Sequence, residues 1–252
     1  MSRAIGRIEI LPDPLTLARH VATWMTRSAL AAEGPFRVSL SGGSTPKTLD
    51  GLLATDEFRS RFPWPRVSWY WGDERFVPYD HPDSNYRMIR EAMLAKTPVP
   101  PQNIHPVPTD GTPDDAARRY EQTLQQAYGA TTLDPRRPLF DITLLGLGSD
   151  GHTASLLPGE PVLDEHKRWV AAVSHGRPEV RITMTYPAIE SSRRVAFLVA
   201  GEEKAEIFGA ICAGNSQVPA AQVRLVGELL WFVDQAAAGE QQSSMRAGAR
   251  TR

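Results

Sequence analysis

Residues 140–159 read FDITLLGLGSDGHTASLLPG. The opening part, Phe140 to Leu147, is a near-continuous apolar run. Such a run suits a strand buried on both faces, as in a parallel sheet covered by helices. The second part is a turn in which Gly146, Gly148 and Gly151 spell G-x-G-x-x-G, the spacing of a dinucleotide-binding loop. That reading needs the third glycine to open a long helix, with an acid roughly 20 residues further on. Here Pro158 and Gly159 halt any helix after about two turns. No strand ending in an acid follows at the right distance, so the match is accidental. What remains is a glycine-rich turn at the carboxyl end of a strand, carrying Asp150 and His152. Their i, i+2 spacing can set a carboxylate beside an imidazole and orient the ring for proton transfer.

Working outward, four more segments read as buried strands: Phe36 to Leu40, Val67 to Trp71, Val195 to Ala200 and Leu229 to Val233. Helical patterns fall between them. Leu17, Val21, Trp24, Met25 and Ser28 share a face, with Gly34 as a stop. Thr112-Pro113-Asp114-Asp115 combines a capping hydroxyl, proline at the first helical position and acids near the positive dipole end. The helix it opens carries Ala116, Tyr120, Leu124 and Ala127 on one stripe and ends at Gly129. Glu202 to Ile211 reads as a helix directly after a strand. The alternation predicts an α/β fold: a doubly wound, mostly parallel, Rossmann-like sheet flanked by helices. The proline-rich stretches Pro98 to Pro108 and Pro135 to Pro138 read as connectors. Residues 1–238 are expected to form a single α/β domain, and 239–252, small, polar and basic, a disordered tail.

Composition narrows the function classes. The chain of 252 residues is 41% hydrophobic, enough for a sizeable core, and its net charge of −1 selects neither nucleic acid nor an anionic membrane. Anion binding must then come from a local cluster. The one cysteine, Cys212, excludes intrachain disulfides and a cysteine-built zinc site, and reads as a small core residue. No apolar run approaches the roughly 20 residues of a membrane span, and the N-terminus lacks the apolar stretch of a signal peptide. A cytoplasmic setting is the expectation. His20, His81, His105, His152, His166 and His175 show no metal-ligand spacing, so no metal is expected.

Three further motifs carry chemistry. Ser39-Leu40-Ser41-Gly42-Gly43-Ser44-Thr45-Pro46 closes a strand with two glycines that let backbone approach a ligand. Thr45 is expected to cap a helix starting at Pro46, whose unpaired N–H groups suit a phosphate. An ordinary strand-to-helix turn is the alternative, and no Walker loop is present. Trp71-Gly72-Asp73-Glu74-Arg75-Phe76-Val77-Pro78 places three charges at a strand's carboxyl end, where open α/β sheets bind ligands. Its competing reading is a solvated charged turn. Ser84, in the nearby Asp83-Ser84-Asn85-Tyr86, reads as a helix cap. Arg181 and Lys204 are basic positions able to hold phosphate, or plain surface charges.

Together these blocks resemble the 6-phosphogluconolactonases. The matching stretches are SLSGGSTP (39–46), WGDERFVP with DSNY (71–78 and 83–86), GLGSDGHTASLLPG (146–159), RITMT (181–185) and GEEKA (201–205). They occur in order across nearly the whole chain. Glucosamine-6-phosphate deaminases of the same superfamily share the phosphate loop and a DGH-type segment. Their DGH is followed by a catalytic glutamate, whereas this chain continues Thr153-Ala154-Ser155-Leu156-Leu157-Pro158. The resemblance therefore favours the lactonases over the deaminases and implies the sugar-phosphate isomerase/deaminase type of fold.

The resemblance implies hydrolysis of 6-phospho-D-glucono-1,5-lactone to 6-phosphogluconate in the oxidative pentose phosphate pathway, without a cofactor. In that reading His152 takes a proton from water and Asp150 holds the imidazole. Arg75, or N–H groups of the glycine turn, face the developing oxyanion. Gly42, Gly43, Ser44 and Thr45, with Arg181 and Lys204, cradle the phosphate. Asp73 and Glu74 either bind sugar hydroxyls or fix Arg75. The competing readings are a deaminase/isomerase of amino-sugar phosphates, a non-catalytic sugar-phosphate sensor and a dinucleotide oxidoreductase.

Overall fold

The computed structural model describes residues 5–174, 178–214 and 217–239. In chain order the elements are β1 (Arg7–Leu11), α1 (Pro14–Ala31), β2 (Phe36–Leu40), α2 (Ser44–Leu53), α3 (Asp56–Arg59), β3 (Val67–Trp71), β4 (Asp73–Arg75), α4 (Asn85–Ala92), β5 (Ile104–His105), α5 (Pro113–Tyr128), β6 (Phe140–Gly146), β7 (Val170–Val173), β8 (Arg181–Met184), α6 (Tyr186–Glu190), β9 (Ser192–Val199), α7 (Ala205–Cys212), β10 (Glu228–Asp234) and α8 (Gln235–Ala238). Seven strands form one sheet in the order β1-β10-β9-β6-β2-β3-β5, every pair parallel. The remaining three form a small antiparallel sheet, β4-β8-β7. The expected doubly wound, mostly parallel sheet flanked by helices is the architecture found. The order reverses between β2 and β6: from β2 the chain builds outward through β3 and β5, from β6 through β9 and β10. The carboxyl ends of these two strands frame the crevice where such sheets take ligands.

Local chemistry explains the elements read from sequence. Thr112 Oγ1 accepts from Asp115 N at 3.2 Å, and Gly129 closes α5 with φ 79°, its N–H donating to Gln125 O at 2.7 Å. Ser84 caps α4 by accepting from Arg87 N at 3.1 Å. β6, β9 and β10 are buried nearly throughout, and Phe197 stacks on its register partner Trp231 at 4.0 Å between ring centres. Cys212 ends α7 half-buried against the core, and burial pushes its thiol up to about 11.

Other expectations are corrected. Thr45 does not cap a helix beginning at Pro46. α2 starts at Ser44, its cap is Gly43 and no side chain caps it. Gly43 has φ 104°, a conformation closed to Thr, so glycine turns the chain and the hydroxyls are left to point elsewhere. α1 stops at Ala31, before Gly34. The segment 202–211 divides into a 3₁₀ turn, Glu202–Lys204, followed by α7. The connector Pro98 to Pro108 contains the edge strand β5. The charged run 73–75 is not a solvated turn but strand β4, with Asp73 and Glu74 buried. β1, β7 and β8 are further strands the pattern did not disclose. His175 and the tail from residue 240 on lie outside the described residues. No helix among the described residues is long and apolar enough to cross a membrane.

Candidate active site

A cavity of about 230 Å³ opens at the carboxyl ends of β2 and β6. Gly42 and Gly43 line it from the turn after β2, Ser44 and Thr45 from the first turn of α2, and His152 from the turn after β6. Asp73 and Arg75 line it from β4, Arg181 from β8 and Lys204 from the turn after β9. Asp150 joins through His152 rather than by lining the cavity itself. The structure thus gathers residues spread over more than 160 positions of sequence, and leaves Glu74 outside.

The turn after β6 is built around its histidine. Gly148 N donates to His152 O and Gly151 N to Gly148 O, both at 2.9 Å. His152 Nδ1 contacts Asp150 Oδ1, and His152 N donates to the same oxygen at 3.1 Å. This engagement of Nδ1 leaves Nε2 as the nitrogen able to accept a proton. A Cβ at Gly148 would overlap the His152 ring and the Asp150 carboxylate, so glycine is required for the pair to fold back over the turn. No α-helix follows; residues 147–160 are turns and bridges, which removes the helix a dinucleotide loop needs. The expectation that amides of this turn face an oxyanion fails for Gly148 and Gly151, whose N–H groups close the turn itself. Ala154, on the cavity wall, has φ 49°, a left-handed conformation costly for a residue with a Cβ.

The small sheet supplies two of the cations, Arg75 and Arg181. Gly72 is the pivot: its N–H donates to Leu40 O at 2.9 Å in the main sheet, and its carbonyl accepts from Met184 N at 2.8 Å on β8. Alternation along β4 then sends Asp73 and Arg75 to one face and Glu74 to the other. Arg75 and Arg181 are register partners. Two like charges directly opposite in an antiparallel pair repel, yet both Nε groups are buried without a hydrogen-bond partner. Glu179 Oε1 accepts from Arg181 Nη2 at 2.7 Å and offsets part of that charge. Lys204 Nζ lies 3.8 Å from Glu203 Oε1. The amino end of α2 adds the amides of Ser44 and Thr45, so the cavity carries the charge and the donors that suit an anion.

Asp73 and Glu74 have separate tasks. Asp73 Oδ2 accepts from the buried Ser155 Oγ at 2.7 Å. Glu74 accepts from Asn85 N and Tyr86 N at 2.7 Å and from Arg75 N at 2.8 Å. It anchors the start of α4 and does not line the cavity. Burial raises its carboxyl to about 7, against the opposing pull of those three amides. Ser41, whose hydroxyl the sequence offers to a phosphate beside those of Ser44 and Thr45, lines the cavity, and so do Asn85, Thr153, Ala154 and Glu203, to which the sequence assigns no role. Asn85 could have been suspected from its place beside a capping serine, but nothing local ties it to Arg75. Among the described residues no three His, Cys, Asp or Glu side chains gather to hold a metal.

The family model described as glucosamine-6-phosphate isomerases/6-phosphogluconolactonase matches residues 12–231. The chain belongs to this family. It is 40% identical to a 6-phosphogluconolactonase of a Nostoc species over 242 residues, 92% of this chain and 97% of that one. Identity to the rat protein of the same name is 36%, covering 93% of each chain. The crystal structure of 6-phosphogluconolactonase from Thermotoga maritima superposes with a TM-score of 0.77 at 28% identity, covering 91% of this chain and 99% of that one.

Proposed function

We propose that this family member hydrolyses 6-phospho-D-glucono-1,5-lactone to 6-phosphogluconate, in the cytoplasm and without a cofactor. One observation carries the reading: an Asp-oriented histidine and a cluster of cations share a single cavity at the sheet's switch point. A lactone is an activated ester, so its hydrolysis asks for a positioned base and a stabilised oxyanion. His152 Nε2 takes a proton from water as the water attacks the carbonyl carbon, and Asp150 stabilises the imidazolium through Nδ1. Such a base supplies roughly 10² to 10⁴ in rate. Arg75 faces the charge that develops on the carbonyl oxygen. The proton then passes from Nε2 to the ring oxygen as the C–O bond breaks. The phosphate sits against Gly42, Gly43, Ser44 and Thr45, with Arg181 and Lys204, and its binding energy positions the ring. Asp73, held by Ser155, presents its remaining oxygen to a sugar hydroxyl. Residues 1–238 act as one α/β unit in this reading.

The test is acid release from freshly generated lactone, measured against spontaneous hydrolysis. Acceleration by the wild type is expected, with kcat reduced about 10²-fold or more in His152→Ala. Turnover in His152→Ala equal to the wild type rejects His152 as the base. Ammonia release from glucosamine 6-phosphate, with no lactone turnover, would instead select the deaminase reading.

A further inference from the structure

Asn85 sits where four parts of the site meet. Its Oδ1 accepts from Arg75 Nη1 at 2.9 Å, and its Nδ2 donates to Asp73 O at 3.0 Å. The side chain is 2% exposed and lines the cavity. A Cβ at Gly42 would collide with its amide, so the first glycine of the turn after β2 is shaped to admit this side chain. Its backbone N–H is held by Glu74. Arg75 Nη1 also donates to Asp83 O at 2.8 Å, two residues before Asn85.

We infer that Asn85 is a positioning residue that aims the Arg75 guanidinium into the cavity. Arg75 faces Arg181 across the β4–β8 pair, and repulsion between the two charges disfavours holding both guanidinium groups at the cavity. The segment 83–85 opposes that by supplying two neutral acceptors to the same nitrogen. Neutral acceptors fix the group without cancelling its charge, which a carboxylate in their place would do. The Nδ2 bond to Asp73 O fixes which end of the amide meets Arg75, because only the oxygen can accept. Glu74 and Gly42 place the amide, the amide places the arginine, and the arginine keeps its charge for the ligand.

The inference rests on the lactonase reading for the assay only. A double-mutant cycle tests it: Asn85→Ala, Arg75→Ala and the double variant, each read for kcat and KM on phosphogluconolactone and for melting temperature. If Asn85 acts through Arg75, Asn85→Ala lowers kcat/KM by roughly tenfold, and adding it to Arg75→Ala changes little, within about twofold. Multiplicative losses, or an Asn85→Ala variant within twofold of wild type, overturn the inference. Asn85→Asp adds a second readout. It keeps the shape but pairs a charge with Arg75 and loses the donor to Asp73 O, so its kcat/KM should fall at least as far as that of Asn85→Ala. Should the wild type fail to accelerate lactone hydrolysis, the functional reading fails separately. The same cycle is then read on the dissociation constant of 6-phosphogluconate, where non-coupled losses again overturn the role of Asn85.

Discussion

Substitution of Gly148 by Ala perturbs the His152–Asp150 pair without touching either residue. Gly148 has no positive φ, so its backbone accepts alanine. The added Cβ falls on His152 Nδ1 and Cε1 and on Asp150 Oδ1, and one of the two side chains must leave. Both can: the His152 side chain is 25% exposed and that of Asp150 43%. The fold should therefore lose only about 1–3 kcal/mol, the usual cost of overpacking. The rate should lose most of what an oriented base provides, roughly 10² to 10⁴ in kcat, or about 3–5 kcal/mol of barrier. KM should stay within about threefold, because the remote phosphate contacts set ground-state binding. The assay is acid release at fixed pH with spontaneous hydrolysis subtracted, alongside a calorimetric melt. Combining Gly148→Ala with His152→Ala should add nothing to the loss in His152→Ala alone. A Gly148→Ala enzyme with native melting temperature and kcat within threefold of wild type would refute the claim that this turn exists to hold the imidazole.

Lys204→Ala should raise KM for the phosphorylated lactone about tenfold with kcat little changed, since one charge contact to phosphate is worth roughly 1.5–3 kcal/mol; an unmoved KM removes Lys204 from the anion seat. Ser155→Ala strips Asp73 of its buried donor and should lower stability by about 1–3 kcal/mol in denaturant unfolding, an effect that Ser155→Thr should partly restore if the hydroxyl is what matters. Glu74 makes stability depend on pH. Its carboxyl titrates at about 7 in the fold against 4.5 ordinarily, raised by burial. The folded state thus prefers the protonated form, so the contribution is full below pH 4.5 and is lost as pH rises through about 7. The full shift corresponds to roughly 3 kcal/mol. Glu74→Gln should flatten that part of the decline between pH 5 and 8, and parallel unfolding curves for the two proteins would contradict it.

Much of the frame was legible because it is written in local chemistry. The apolar runs of β6, β9 and β10, the Thr112 and Ser84 caps and the Gly129 stop each depend on neighbours within a turn or two. So does the Asp150–His152 contact, two residues apart on a glycine turn. β1 and β8 were not legible, because Arg-Ile-Glu-Ile-Leu and Arg-Ile-Thr-Met offer only five and four positions of alternation, too short a window to read, and each pairs with a strand far along the chain. β4 reads locally as three charges in a row. It becomes a strand only because β8, over 100 residues later, pairs with it. Thr45 misled for a related reason. Its hydroxyl fits a cap by type, but the positive φ needed at the turn falls on Gly43 and moves the helix start by two residues.

The amino-acid order by itself determined that the chain forms an α/β sheet and that a histidine and a phosphate-type turn lie at strand ends, because periodicity, capping and turn chemistry act over a few residues. Only the tertiary structure decided that Arg75 faces Arg181, that Glu74 turns away from the cavity and that Asn85 holds Arg75. Those facts follow from strand register and from which face each side chain takes. Both are set by pairing between segments whose sequences carry no mark of one another.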